Sequence, residues 1–231
     1  MVASIRGVVF DIDDTLYLER DYVRSGFRSV CDLVASSSSV DSSELFDFLW
    51  QLFDTGQRGL LFDALLKEYP QVASRWAISD LVKSYREHDP AIDLLPEMGA
   101  LLRRLRSIGV RLGVITDGKL VSQTAKIGAL GLGKRIDVVC TTDSWGTEYW
   151  KPHSRAFVHV AAALDLAPDQ LVYVGDNPHK DFVAPLALGW DAIRVRIPGQ
   201  LHVDVECPSV MEVQSVQQLS EYLMSRAFRE E

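Results

Sequence analysis

Short apolar stretches recur along the chain and predict the strands of a buried sheet. Several have nearly all-apolar centres, such as Val8-Val9-Phe10 and Val172-Tyr173-Val174. Continuous apolar runs of this length are typical of strands that are covered on both faces, as in a parallel sheet. The predicted strands are Ile5–Asp11, Arg111–Thr116, Ile136–Thr142, Leu171–Asp176 and Asp191–Ile197.

Segments with helical spacing separate the later strands. One of them carries Met98, Leu101, Leu102 and Leu105 at positions i, i+3, i+4 and i+7, which places these side chains on one face of a helix. The predicted helices of this part are Pro96–Gly109, Lys119–Leu132, Ser154–Leu166, His179–Leu188 and Val216–Ala227. Alternation of strands and helices predicts an α/β fold with a doubly wound parallel sheet.

The region between the first two predicted strands differs, because it contains helical patterns and no convincing strand. Apolar stripes at helical spacing include Phe27, Val30, Cys31 and Val34, and two further helices are predicted at Leu60–Tyr69 and Ser79–His88. An unbroken insertion of this size is expected to be a unit of its own. The sequence therefore predicts a helical cap over residues 17–92, inserted into a core formed by residues 1–16 and 93–231.

Composition and charge narrow the class of protein. Hydrophobic residues make up 47% and charged residues 24% of the chain, which is typical of a soluble globular protein. The net charge of -8 argues against a nucleic-acid partner, and no apolar run is long enough for a membrane span. Without a signal-peptide pattern, and with Cys31, Cys140 and Cys207 far apart, we expect free thiols and a cytoplasmic location.

Two carboxylates at the end of the first predicted strand are the first candidates for chemistry. Asp11 and Asp13 are spaced i and i+2, so their side chains leave the strand on the same face. Two like charges at close range are unfavourable unless a cation or a shared proton compensates them. This spacing predicts a functional site that holds a divalent metal.

The ends of the other predicted strands add polar groups, and ligands of open α/β sheets bind at this edge. Thr116-Asp117-Gly118 joins the second strand to a helix, whose free amide groups can bind an anion. Lys151 lies between the third and fourth predicted strands, just before the predicted helix Ser154–Leu166, and offers a positive charge. Asp176 and Asp181 follow the fourth strand, although Asp181 can also be read as an acid that opens a helix.

These residues together resemble the four motifs of the haloacid dehalogenase superfamily. The first motif, DxDxT, matches Asp11, Asp13 and Thr15, and the others match Thr116, Lys151 and the Gly175, Asp176 and Asp181 of GDxxxxD. The match spans residues 8–181, and the motifs occur in the order of the family. The resemblance implies a Rossmann-like sheet with a mobile helical lid.

The resemblance also implies a role for each motif residue. Asp11 would attack phosphorus and form an aspartyl-phosphate, and Asp13 would act as general acid and then as general base. Mg²⁺ would be held by Asp11, Asp176 and the backbone carbonyl of Asp13, with Asp181 in support. Thr116, the amides of Asp117 and Gly118, and Lys151 would hold the phosphoryl oxygens.

The predicted function is a magnesium-dependent phosphatase that hydrolyses a small phosphorylated metabolite. A phosphomutase shares every motif, whereas a phospho-acceptor signalling domain fits the chain length less well, and a dehalogenase has no need of Asp13. The polar break Gly56-Gln57-Arg58-Gly59 either is a plain loop or places Arg58 where it reads the substrate. The sequence leaves the substrate and the oligomeric state open.

Overall fold

The computed structural model describes residues 4–227 and contains a sheet of six strands in the order β3-β2-β1-β4-β5-β6. Every neighbouring pair runs parallel. The strands are β1 Gly7–Phe10, β2 Arg111–Thr116, β3 Val138–Thr141, β4 Leu171–Gly175, β5 Asp191–Val195 and β6 Met211–Val213. The predicted α/β class with a doubly wound, Rossmann-like parallel sheet is confirmed.

The central strands are buried because their side chains are apolar on both faces. All residues of β1 and β4 are buried. On one face, Val9, Ile115 and Tyr173 pack with Phe157 and Val160 in a single apolar cluster. The ring centroids of Phe157 and Tyr173 lie 5.0 Å apart. Burial of this apolar surface stabilises the sheet and fixes the positions at which its strands end.

Helices that flank this sheet lie close to the predicted positions. They are α6 Pro96–Ser107, α7 Leu120–Ala129, α8 Arg155–Leu164, α9 Val183–Ala187 and α10 Val216–Ala227. Short 3₁₀ turns occur at Leu132–Lys134, Thr142–Trp145, Thr147–Tyr149 and Pro168–Gln170.

Two elements of this part differ from the prediction. The helix predicted from His179 begins only at Val183. Before it, side chains bind the backbone in a turn: Oδ1 of Asn177 accepts the amide of His179 at 3.0 Å, and Oδ2 of Asp181 accepts the amide of Asn177 at 2.9 Å. The strand β6 was not predicted. It is three residues long and its first residue, Met211, is exposed, so it has no continuous apolar run.

The chain divides into two compact units, one formed by residues up to Arg20 and from Asp93 onward, the other by Asp21–Ile92. The helices before β2 are α1 Glu19–Ala35, α2 Ser42–Asp54, α3 Leu61–Glu68, α4 Pro70–Ala73 and α5 Ile78–Glu87. Within the second unit, the Phe27 ring lies 6.2 Å from the rings of Phe53 and Phe62 and 5.9 Å from that of Tyr85. Aromatic contacts of this kind give the unit an apolar core of its own.

Two further properties concern the chain as a whole. Cys31, Cys140 and Cys207 are free thiols. Among the helices within residues 4–227, none combines the length and the apolarity that crossing a membrane requires.

Candidate active site

The candidate residues lie at the carboxyl ends of three adjacent strands. Asp11 directly follows β1, Thr116 is the last residue of β2, and Asp176 directly follows β4. β1 lies between β2 and β4 in the sheet, and all three strands run in the same direction. The parallel topology therefore brings side chains from distant parts of the sequence to one edge.

Lys151 is the central cation of this edge. Its ammonium group is buried and lies 2.9 Å from Asp11 Oδ1, 2.8 Å from Asp181 Oδ1 and 2.9 Å from the hydroxyl of Tyr173. The charges of Asp11 and Asp181 raise the pKa of Lys151 well above its ordinary value, against the effect of burial. Lys151 is therefore a fixed positive charge beside Asp11 at neutral pH.

Asp117 anchors the segment that carries Lys151. Its Oδ1 accepts hydrogen bonds from the backbone amide of Lys151 at 3.0 Å and from the hydroxyl of Thr142 at 2.7 Å. Gly118 follows with a φ of 123°, and a Cβ there would lie 2.7 Å from Nε2 of Gln123. Glycine is therefore needed at this position, both for the backbone conformation and for the close approach of Gln123.

Three carboxylates form a cluster that can hold a divalent metal. Asp11, Asp176 and Asp181 each place one oxygen within 4.8 Å of the others, and all three residues are buried. Within residues 4–227, Oδ2 of Asp11 and Oδ2 of Asp176 receive no hydrogen bond. Buried carboxylate oxygens without a donor fit a hard cation such as Mg²⁺, which prefers oxygen ligands.

The pKa values of this cluster reflect the burial of its charges. Burial raises the pKa of Asp11 to about 6, although Lys151 lowers it. Burial and the nearby charges of Asp181 and Asp11 raise the pKa of Asp176 well above its ordinary value. Negative charge on this cluster is costly without a cation. The raised pKa values and the oxygens without a hydrogen bond therefore both indicate that the cluster can hold a cation.

Asp13 lies outside this cluster and has a different environment. Its Oδ1 accepts hydrogen bonds from Lys126 Nζ at 2.7 Å and from the hydroxyl of Tyr17, and its Oδ2 accepts one from Gln123 Nε2 at 3.1 Å. Burial alone would raise the pKa of Asp13, but the charge of Lys126 and these hydrogen bonds lower it. The side chain of Asp13 is thus held as a carboxylate, and only its backbone carbonyl is left for the predicted metal contact.

Thr116 is buried and connects to the same network. Its hydroxyl donates to Oε1 of Gln123 at 3.1 Å, and the amide of Gln123 donates to Asp13. Asp181 accepts the backbone amide of Asn177 at 2.9 Å through Oδ2 and contacts Lys151 through Oδ1. Both of its oxygens are engaged, so the position of Asp181 fits a supporting role beside Asp11 and Asp176.

Residues of β5 and of the segment after it contact Asp14 and Asp176. The amide of Leu201 donates to Oδ2 of Asp14 at 2.7 Å, and the side chain of Gln200 donates to the carbonyl of Asp14 at 2.6 Å. Arg194 is fully buried and donates from Nε to the carbonyl of Asp176 at 2.9 Å. These contacts hold the backbone of two motifs in place.

Arg58 has its contacts within its own unit of the chain. It lies in the Asp21–Ile92 unit, where its guanidinium stacks 4.2 Å from the centroid of the Phe53 ring and donates to the Phe53 carbonyl. Arg58 is exposed, follows α2 in the chain and contacts the last turn of that helix. Its predicted role in reading the substrate stays a prediction.

Sequence reasoning missed several residues of the site. Gln123 and Lys126 contact Asp13, while Tyr173, Arg194 and Gln200 support Lys151, Asp176 and Asp14. The one available signal was on α7, where Gln123 and Lys126 are polar residues at i and i+3 and therefore share a helix face. The other three residues lie in or after strands and carry no pattern of their own.

The arrangement can carry out group transfer to a carboxylate. Asp11 has a buried oxygen without a hydrogen-bond donor among the described residues, beside a fixed cation and a candidate metal cluster. Asp13 is a second carboxylate, from the same loop, that is hydrogen-bonded separately. One carboxylate can therefore act as a nucleophile while the other donates or accepts a proton.

The chain is similar to known proteins over most of its length. Residues 5–189 match the haloacid dehalogenase-like hydrolase family. A glyceraldehyde 3-phosphate phosphatase of Methanocaldococcus jannaschii is 31% identical over 83% of this chain and 85% of its own length. A ribulose-1,5-bisphosphate 5-phosphatase of Halopiger xanaduensis is 28% identical over 80% of this chain and 82% of its own length.

A solved structure has the same fold. The HAD-hydrolase YfnB from Bacillus subtilis, bound to magnesium, has a TM-score of 0.66 and 19% identity, and the match covers 95% of this chain and 99% of that chain. At this level of identity, the similarity concerns the fold alone.

Proposed function

This chain belongs to the haloacid dehalogenase-like hydrolases, and from this membership and the geometry of its site we propose that it is a magnesium-dependent phosphatase. The proposed substrate is a small phosphate monoester, and the proposed route passes through an aspartyl-phosphate. The observation that carries the proposal is the position of Asp11. Its carboxylate lies 2.9 Å from Lys151 Nζ and within the cluster formed with Asp176 and Asp181.

In the first half of the proposed reaction, a carboxylate oxygen of Asp11 attacks phosphorus. The new bond joins this oxygen to phosphorus and the ester bond breaks. Asp13 gives a proton to the leaving oxygen, so it must carry this proton when the substrate binds, although its contacts in the free site favour the carboxylate. Lys151 holds positive charge beside the phosphoryl group, and the amides of Asp117 and Gly118 bind its oxygens. The hydroxyl of Thr116 joins them when its proton turns from Gln123 to the phosphoryl group. Positioning and charge neutralisation supply most of the acceleration of such a transfer.

In the second half, water attacks the same phosphorus atom from the opposite side. Asp13 now removes a proton from this water, the bond to Asp11 breaks, and inorganic phosphate leaves. When bound by the carboxylate cluster, Mg²⁺ would neutralise charge on the phosphoryl oxygens and on Asp11. The hydrogen bonds of Asp13 favour its carboxylate form, which this second half requires.

The substrate class rests on the relatives and on the site. The two relatives described above are named for the hydrolysis of small phosphorylated compounds. Their substrates differ from each other, so the relatives support a small phosphorylated metabolite and no single compound. We further propose that the helical unit Asp21–Ile92 acts as a cap that contributes to substrate selection, with Arg58 as a candidate contact.

Release of phosphate from an aryl phosphate tests the proposal. Activity should require Mg²⁺, disappear with EDTA and be absent in Asp11→Asn, because an amide cannot form the covalent intermediate. Asp169→Asn makes the same chemical change at an exposed position and should keep full activity. Mass spectrometry after an acid quench should find the phosphoryl group on the peptide that contains Asp11, and label on a Ser, Thr or His would refute the mechanism.

A further inference from the structure

We propose that Lys126 is a positioning residue for the reaction, which acts with Gln123 by fixing the carboxylate of Asp13 against helix α7. The inference rests on the proposed function, because it assigns a task to Asp13 in proton transfer. Neither Lys126 nor Gln123 belongs to the four motifs on which the resemblance was based.

The burial of Lys126 is the first argument. Its side chain is only 4% exposed, although lysine is among the residues most rarely buried. Removing an ammonium group from water is costly unless an opposite charge and hydrogen bonds compensate. Nζ of Lys126 lies 2.7 Å from Oδ1 of Asp13, so the carboxylate supplies this compensation. A contact kept at such a cost within a reactive site indicates a functional task.

The geometry of Gln123 is the second argument. Gln123 precedes Lys126 by one helical turn on α7 and donates to the other oxygen of Asp13, Oδ2, at 3.1 Å. The two oxygens of the carboxylate are therefore attached to two positions of the same helix, which stops its rotation. Through Oε1, Gln123 also accepts the hydroxyl of Thr116 at 3.1 Å. One helix thus sets the orientation of both Asp13 and the hydroxyl of Thr116.

This orientation matters because Asp13 serves two steps. It must face the leaving oxygen in the first step and the attacking water in the second, and small misplacements of a reacting group are costly. Loss of Lys126 leaves Oδ1 with the hydroxyl of Tyr17 and without its charged partner, which loosens the carboxylate and should slow both proton transfers. Lys151 is held by Asp11 and Asp181, and Asp117 by the Lys151 amide and the Thr142 hydroxyl, so we expect the binding of the phosphate to be largely retained when Lys126 is lost.

The experiment compares Lys126→Met with Lys134→Met on two monoesters in the presence of Mg²⁺. Met keeps much of the length of Lys and suits a buried position, whereas Lys134 is an exposed lysine of the same unit and should behave as wild type. We expect kcat of Lys126→Met to fall about 10- to 100-fold, with KM changed less than about threefold. The loss of kcat/KM should be larger for an alkyl phosphate than for 4-nitrophenyl phosphate, whose leaving group needs little protonation.

A double-mutant cycle separates positioning from a general structural effect. If Lys126 acts through Asp13, then adding Lys126→Met to Asp13→Asn should cost less than about twofold more in kcat. If Lys126→Met does not fold, Lys126→Leu takes its place in the cycle, because Gln123 also accepts the Thr116 hydroxyl and its replacement would not report on Asp13 alone.

The possible results distinguish a failure of this inference from a failure of the proposed function. If the wild-type protein releases no phosphate, or if Asp11→Asn is as active as wild type, the proposed function fails first. If the wild-type protein is an Mg²⁺-dependent phosphatase, the inference is overturned by full activity of Lys126→Met. It is equally overturned by a loss that is as large in the Asp13→Asn background as in the wild type.

Discussion

Replacement of Lys151 by methionine tests the electrostatic account of the site. In the wild-type protein, the buried ammonium lies within 2.9 Å of Asp11 and within 2.8 Å of Asp181. Methionine keeps much of the side-chain volume and removes the charge. The variant leaves two buried carboxylates beside each other without their common cation. Breaking a buried ion pair by removing one partner typically costs about 3–5 kcal/mol of unfolding free energy, because the remaining charge stays uncompensated.

The cost of Lys151→Met should depend on pH with a defined sign. Burial already raises the pKa of Asp11 to about 6, and loss of Lys151 removes the charge that opposes this rise. A carboxylate whose pKa is higher in the folded protein than in the unfolded chain contributes stability at low pH and loses it as the pH rises through the folded pKa. The destabilisation should therefore be larger at about pH 7.5 than at about pH 5.5.

Urea unfolding in EDTA, followed by circular dichroism at both pH values, measures this difference. Lys134→Met is the matched control and should change the unfolding free energy by less than about 0.5 kcal/mol, because its side chain is exposed. Adding Asp181→Asn to Lys151→Met should restore part of the loss, since it removes one of the two stranded charges. Equal destabilisation at both pH values, or none at either, would refute the reasoning.

Three further predictions concern the metal, the acid–base group and the substrate. Mg²⁺ should raise the unfolding temperature more at about pH 7.5 than at about pH 5, because the cluster binds it when Asp11 is ionised; a thermal shift that is independent of pH would contradict this. Asp13→Asn should lower turnover about 10²–10⁴-fold and let phospho-enzyme accumulate, which acid-quench mass spectrometry can detect. Arg58→Ala should raise KM for the native substrate and spare a small aryl phosphate, whereas equal losses on both would assign Arg58 to the fold.

The strand pattern and the order of the motifs could be predicted from the sequence because both are local. Val8-Val9-Phe10 is apolar without interruption, and β1 is completely buried in the structure. In a parallel sheet all carboxyl ends lie at one edge, so the strand pattern alone assigns Asp11, Thr116 and Asp176 to that edge. The strand β6 and the turn before α9 could not be predicted in this way, because β6 has only three residues and the turn is held by hydrogen bonds.

Only the tertiary structure decided which polar side chains meet. Asp13 and Lys126 are separated by 113 positions in the chain, and Lys151 and Asp181 by 30, yet each pair is in direct contact. The same holds for Arg194, whose side chain reaches the carbonyl of Asp176. The hydrophobic pattern of a segment specifies which of its faces is buried, but the partner of a buried charge depends on how separate segments pack. The sequence by itself therefore determined the sheet and the strand ends that carry the carboxylates. The packing of α7, which carries Lys126, and of the segment that carries Lys151 determined which charges compensate them.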